Sequence, residues 1–272
     1  MEKDTDIKII HGGIRKDIEG HITENHNVGF YDGGMWFKNQ VGSFWIHDKS
    51  EINFVENEGL SADDAAQFLP GMCLSILLWY RGDVMMHGAC LFYKGKTMII
   101  SGNSGAGKST LTTELINLGA KLIADDVTAI RNENGEYKAY PAFPAQKLCD
   151  DQVDRSGMER KRLKRVKYDK NKFEIPRIDV FCSDAKRIDC FYRIEKQDVE
   201  LLKKEIITGA EKLRIITDSI FIKWMFHENF KLTPEDMIKC IGIANQVDIY
   251  RVIRPDEKDT LKDIIRYIDG NT

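Results

Sequence analysis

Nine consecutive residues, Gly102, Asn103, Ser104, Gly105, Ala106, Gly107, Lys108, Ser109 and Thr110, constrain this chain more than any other part of it. They fit G-x-x-x-x-G-K-[ST] at every fixed position, the pattern of a loop that wraps phosphate. Such a loop works between a strand and a helix, and the flanks supply both. Residues 97–101 (Thr, Met, Ile, Ile, Ser) read as a short apolar strand. Leu111, Leu115 and Leu118 fall on one helical face, and Gly119 is placed to close the helix. The residue types follow from the charge of phosphate. Glycines let the backbone curl until successive N–H groups point inward. The helix beginning near Lys108 adds unpaired N–H groups and its positive end. Lys108 brings a mobile point charge, and the Ser109 hydroxyl is short enough to hold a Mg²⁺ that bridges two phosphates.

Directly after that helix, Lys121, Leu122, Ile123 and Ala124 read as a strand ending in two adjacent carboxylates, Asp125 and Asp126. In α/β layouts ligands collect at the carboxyl ends of strands, which sets the pair beside the loop. Neighbouring side chains of an extended segment point to opposite sides, so two different tasks are expected. One carboxylate can hold the metal; the other can accept the proton of an attacking hydroxyl. Phosphoryl transfer to a hydroxyl needs both. Upstream, residues 87–93 and 97–101 read as a hairpin turned by Lys94, Gly95 and Lys96. His87 at its start is, from the residues alone, either a satisfied structural histidine or a functional one.

His87-Gly88-Ala89, the loop through Ser109, and Leu122-Ile123-Ala124-Asp125-Asp126 resemble, in order and spacing, the catalytic domain of HPr kinase/phosphorylase. That domain shares its core with ATP-dependent phosphoenolpyruvate carboxykinase. The resemblance is good over residues 84–130 and weaker to the C-terminus. It is nearest to the shorter HPr-kinase-related proteins, some of which phosphorylate a serine of a precursor peptide. It implies an α/β (α+β) fold with a PEP carboxykinase/HPr kinase-like P-loop core and a mixed sheet. It also implies ATP and Mg²⁺ as cofactors. Asp125 matches the position of the base, and Asp126 and Ser109 match the metal side. Lys108 matches the phosphate lysine, and His87 a histidine near the transferred phosphate. The implied partner is a peptide or protein with an acceptor serine; the related kinases are hexamers, which implies a homo-oligomer. The chain departs from HPr kinases in reading Lys108-Ser109-Thr110 where they usually read Lys-Ser-Glu. It also carries the Tyr-Pro…Pro…Leu segment Ala139-Tyr140-Pro141-Ala142-Phe143-Pro144-Ala145-Gln146-Lys147-Leu148 in place of their later Glu-rich signature. These departures point away from HPr as the substrate. A small-molecule alcohol kinase is the nearest rival. A nucleotide-gated ATPase is another, although such hydrolases commonly place a glutamate where this chain has Val127. A third is a non-enzymatic nucleotide-binding partner.

The formal net charge of −3 argues against a molecule built to bind nucleic acid. Six cysteines include no C-x-x-C pair and read as buried thiols of a cytoplasmic protein. His21 and His26 have no nearby cysteine partners, so no zinc site is expected. The longest apolar run, near residues 72–80, is far short of a membrane span, and the first six residues lack a signal-peptide core. The expected organisation is a small β-rich module with linking helices over 1–83 and a nucleotide-binding catalytic domain over 84–272. In the first, Ser61 caps a helix with Asp63 and Asp64 in its opening turn, and a second apolar helix covers 71–80. The β-rich part suits a packing layer or a platform for a peptide. In the second, residues 154–172 hold nine Lys or Arg against three acids. They read as a solvated face, a lid over the nucleotide, or a groove for an acidic peptide. Residues 178–182 and 189–194 read as strands. Residues 198–272 read as mostly helical: a helix capped by Thr233 with Pro234 first, a strand over 247–252, and a final helix carrying Leu261, Ile264, Ile265 and Ile268.

Overall fold

The computed structural model describes residues 6–12, 27–31, 33–155, 158–166, 172–226 and 230–271. The readings of His21 and His26 lie outside the described residues. The chain forms two compact units, Met1–Asp83 with Phe226–Phe230, and Val84–Met225 with Lys231–Thr272.

The first unit is built on a five-stranded sheet of β1 (Lys8–His11), β2 (Val28–Tyr31), β3 (Gly34–Lys38), β4 (Gly42–His47) and β5 (Glu51–Glu56). The order is β1-β5-β4-β3-β2; β1 runs parallel to β5 and the other pairs are antiparallel. Both faces of its centre are covered. Trp36 and Trp45 face each other across β3 and β4 on one side. Phe37 stacks on Phe44 on the other, with ring centroids 4.8 Å apart. Ser61 opens α1 (Ala62–Ala66), and its N–H donates to the Asp64 carboxylate at 2.9 Å. The helix expected over 71–80 begins instead as a wider π turn, Leu69–Cys73, and continues as α2 (Leu74–Tyr80). Pro70 has no N–H to give the ladder, which suits the wider turn.

The second unit carries the loop. Its first strands are β6 (Val84–Tyr93) and β7 (Lys96–Gly102), joined by a two-residue turn with Lys94 and Gly95 at φ 48° and 82°. Then follow α3 (Lys108–Asn117), β8 (Lys121–Ala124), β9 (Val127–Glu133), β10 (Glu136–Tyr140), β11 (Ala145–Cys149) and α4 (Asp150–Arg155). Next come β12 (Lys164–Arg165), β13 (Lys172–Pro176), β14 (Lys186–Arg187), β15 (Cys190–Gln197) and β16 (Lys203–Ile207). The unit closes with α5 (Ala210–Asp218), α6 (Pro234–Gln246), β17 (Asp248–Pro255) and α7 (Leu261–Asn271). The main sheet runs β14-β10-β9-β6-β7-β15-β17-β16, with β8 also on β6. β7, β15 and β17 are mutually parallel and the other pairs antiparallel, so the sheet is mixed and the fold is α/β. A separate small sheet runs β11-β13-β12.

The core that holds the loop lies on one face of the main sheet. Leu91, Met98 and Ile100 meet Leu111 and Leu115 of α3 and Ile264 and Ile268 of α7. Burying each such side chain contributes about 1.5–3 kcal/mol. Leu118 is not part of the stripe: it follows the last helical residue and is 50% exposed, while Ile116 is buried. Residues 178–182 are not a strand. Arg177 N–H donates to Pro144 O at 2.7 Å, the chain turns through a 3-10 segment, Ile178–Val180, and Phe181 makes a single bridge to Leu122. Within 198–272, Lys203–Ile207 forms a strand on β17, which the helical reading missed; its Ile206 is 71% exposed, so no alternation announced it.

Candidate active site

The loop leaves β7 at Gly102, whose φ of 153° and close approach exclude any side chain: a Cβ there would lie 2.2 Å from Ile194 O of β15. Asn103 to Gly107 then curl, and Gly107 begins α3. Lys108 Nζ reaches back across the loop to Gly102 O at 2.6 Å and Asn103 O at 3.1 Å. Burial lowers the Lys108 pKa, and the charges of Asp126 and Asp125 oppose that shift. Thr110 turns toward α4, its Oγ1 accepting from Gln152 Nε2 at 2.8 Å.

The carboxylate pair sits at a jog in the sheet. β6 pairs β9 through Val84–His87 and β8 through Cys90–Phe92. Asp125 and Asp126 span the switch between the two partners. Asp126 adopts φ 65°, and its carbonyl accepts the Gly88 N–H at 2.9 Å. Gly88 permits the tight packing beneath, since a Cβ there would lie 2.8 Å from Ile100 O.

The two neighbours then differ in environment. Asp125 is half-buried and accepts the Lys147 N–H of β11 at 2.8 Å. Burial, then the Asp126 charge, push its pKa up to about 7, against the pull of that N–H and of Lys147 and Lys172. Asp126 is 47% exposed, and its Oδ1 lies 3.7 Å from His87 Nε2. Burial first, then the Lys108 charge, lower the His87 pKa to about 4, with Asp126 opposing, so the imidazole is neutral at pH 7. The His87 backbone is pinned on both sides. Its N–H donates to Ser219 O at 2.7 Å, and its carbonyl accepts from Ser101 Oγ at 2.8 Å.

Lys108, Ser109, Asp125 and Asp126 thus line one opening, together with Ala89, Thr112, Lys147 and Lys172. His87 adjoins it through Asp126. Lys147 and Lys172 were not singled out from the sequence; one sits in the Tyr-Pro…Pro segment, the other at the end of the basic run. Arg193 of β15 was also missed. It donates to Asn103 Oδ1 at 3.1 Å and to Ser101 Oγ at 3.4 Å, tying the loop to a parallel strand. Its charge also lowers the His87 and Lys108 pKa values.

Mg²⁺ takes hard oxygen ligands and usually keeps one or two carboxylates, phosphates and waters. The Ser109 hydroxyl and the Asp125–Asp126 pair fit that donor set. Among the described residues there is no group of three or more His, Cys, Asp or Glu that could hold a metal alone. A metal here would therefore complete its shell from phosphate and water. On the other flank of the loop, Ala106, Gly107, Thr110, Arg155, Arg254 and Thr260 border a hollow of about 240 Å³. Thr260 Oγ1 and Arg254 Nε are buried there without a hydrogen-bond partner among the described residues.

Fold and loop define the class: a mixed α/β fold with a glycine-rich strand-to-helix loop and a carboxylate pair at its mouth. Comparison with known proteins narrows it. Residues 81–146 match the family described as HPr Serine kinase C-terminal domain. The HPr kinase/phosphorylase of Listeria welshimeri is 41% identical over 51 residues, 19% of this chain and 16% of that protein. That of Treponema pallidum is 42% identical over 52 residues, again 19% and 16%. The Hpr(Ser) kinase/phosphatase structure from Coxiella burnetii aligns over 69% of this chain and 94% of that one, at 15% identity and TM-score 0.35. Around its phosphate loop the chain is similar to the HPr kinases; the sequence match spans about a sixth of the curated relatives' length.

No helix among the described residues is long and apolar enough to cross a membrane. The six cysteines are free thiols, and all but Cys149 are buried.

Proposed function

We propose that this protein is a Mg-ATP-dependent kinase that transfers the γ-phosphoryl group to a hydroxyl, with a peptide or protein serine as acceptor. The observation that carries the reading is the convergence of Lys108, Ser109, Asp125 and Asp126 on one opening. The loop N–H groups and Lys108 hold the phosphates, and the 240 Å³ hollow beside Gly107 has the place and polar lining for the nucleoside. Ser109 and Asp126 would hold Mg²⁺, which when bound neutralises phosphate charge and orients it for in-line attack. Asp125 accepts the proton of the incoming hydroxyl. A carboxyl with a pKa near 7 suits that task, because it is both ionised and basic at neutral pH. Neutral His87 packs against Asp126 and orients it.

A second reading exchanges the two carboxylates. It is favoured by the exposure of Asp126 and its position between His87 and the opening. In that version Asp126 takes the proton and Asp125, fixed by the Lys147 N–H, serves the metal side. The experiment is label transfer from γ-labelled ATP with Mg²⁺ to serine peptides and free hydroxyl metabolites, by wild type, Asp125→Asn and Asp126→Asn. Loss of transfer by about 10²–10⁴ with ATP binding kept marks the base. Label found only as free phosphate would contradict the kinase and support a nucleotide-gated ATPase. Label on a small alcohol alone would contradict the peptide acceptor.

A further inference from the structure

Two arginines stand side by side on the face of the main sheet away from α3. Register sets Ser101 of β7 beside Arg193 of β15, and Arg193 beside Arg251 of β17. The alternating residues Tyr192 and Ile194 point the other way, into the core with α3 and α7. The two guanidinium groups are compensated unequally. Arg251 Nε lies 3.6 Å from Glu195, its Nη1 lies 3.0 Å from Glu205, and its Nη2 pairs with Glu211. Arg193 Nε lies 3.6 Å from that same Glu195, and no second carboxylate pairs with it among the described residues. Its other contacts are neutral: Nη1 donates to Ser101 Oγ at 3.4 Å and Nη2 to Asn103 Oδ1 at 3.1 Å. A guanidinium carries five N–H groups. One N–H on each terminal nitrogen is therefore uncommitted among the described residues, in a side chain only 16% exposed. A cation so withdrawn from water, with one shared carboxylate, is short of anionic partners.

Asn103 fixes where this guanidinium sits. In loops of this pattern the lysine serves the β- and γ-phosphates. Lys108 Nζ lies 3.1 Å from Asn103 O, so Asn103 borders the γ end of the loop. Lys108 bonds the backbone oxygen of that residue, and Arg193 bonds its side-chain oxygen. Burial is the largest cause of the lowered Lys108 and His87 pKa values, and the Arg193 charge adds to both, against Asp126. A phosphoryl oxygen is a stronger acceptor for a guanidinium than an amide or hydroxyl oxygen. We infer that Arg193 reads the terminal phosphate of the nucleotide: its two uncommitted N–H groups bond γ-phosphoryl oxygens, so the site prefers a nucleoside triphosphate to a diphosphate. This rests on the Mg-ATP reading above. Lys108 supplies a point charge to both outer phosphates, and Arg193 adds a fork that a diphosphate leaves unfilled.

The test is calorimetric titration with MgADP and with Mg-AMPPNP, a triphosphate analogue whose terminal group resists transfer. Wild type should bind the triphosphate more tightly. Arg193→Ala should weaken the triphosphate by about 10- to 100-fold and the diphosphate by less than about threefold. Retained diphosphate binding shows that the loop itself is intact. Arg193→Lys keeps the charge and loses the fork, so its preference should fall between those of Arg193→Ala and wild type. If Arg193→Ala does not fold, Arg193→Lys carries the comparison by itself. Equal affinity of wild type for the two nucleotides would overturn the inference while leaving the kinase standing. So would equal weakening of both nucleotides in a folded variant, or weakening of neither. A wild type that binds neither nucleotide would overturn the kinase reading and this inference with it.

Discussion

Asp125→Asn should stabilise the protein at alkaline pH while removing the proposed base. The carboxyl has an ordinary pKa of 3.8 and is raised to about 7 in the fold by burial and by Asp126. A raised folded pKa means the native state holds the proton more tightly than the unfolded chain. The group's stabilising contribution is complete below pH 3.8 and is lost as pH rises through about 7. A shift of about three units corresponds to roughly 4 kcal/mol between the two limits. Between pH 5 and pH 8 roughly 2.5 kcal/mol of this falls, and partial contact with solvent reduces it to about 1–1.5 kcal/mol. Asparagine keeps an acceptor for the Lys147 N–H and carries no charge at either pH. The variant should therefore gain about 2–5 °C in Tm over wild type on going from pH 5 to pH 8. Thermal melts at the two pH values, followed by near-ultraviolet circular dichroism, read this directly. An Asp125→Asn curve parallel to wild type from pH 5 to pH 8 would refute the claim that the fold holds this carboxyl high.

Three other perturbations follow from the same geometry. Lys108→Ala should weaken MgATP by about 10- to 100-fold in calorimetric titration, since it removes a charge-assisted bond to phosphate. His87 is held near 4, below its ordinary 6.5, so its contribution to stability is present above 6.5 and lost as pH falls toward 4; His87→Asn should lose about 2–3 kcal/mol less than wild type in denaturant melts between pH 7 and pH 4. Gly102→Ala puts a Cβ 2.2 Å from Ile194 O, so nucleotide binding should fail in a chain whose far-ultraviolet spectrum stays mixed α/β.

What the sequence showed and what it hid divide along chain distance. The loop, its strand and its helix are local: the fixed glycines, Thr97–Ser101 and the Leu111/Leu115 stripe lie within nineteen neighbouring residues, and backbone geometry alone orders them. The jog at Asp125–Asp126 was hidden because it depends on β6 changing partner from β8 to β9, a long-range choice no local pattern records. The unequal environments of the two carboxylates follow from that jog and from the Lys147 N–H. Lys172 reaches the opening only through the β11–β13 register, and Arg193 only because β15 lies parallel beside β7. Exposed Ile178 and Ile206 misled in opposite ways. The first sits in an apolar run that forms no strand, and the second in a polar run that does.

The proposal that a carboxylate poised near neutrality accepts the hydroxyl proton is tested most directly by the pH dependence of kcat/KM for MgATP in phosphoryl transfer to a serine peptide, since that ratio reports the free protein's groups. The account predicts a rate that rises through an apparent pKa near 7 and a limb that disappears in Asp125→Asn, with residual transfer down by about 10²–10⁴. A profile flat from pH 5 to pH 8, or a rising limb kept in Asp125→Asn and lost in Asp126→Asn, would contradict it.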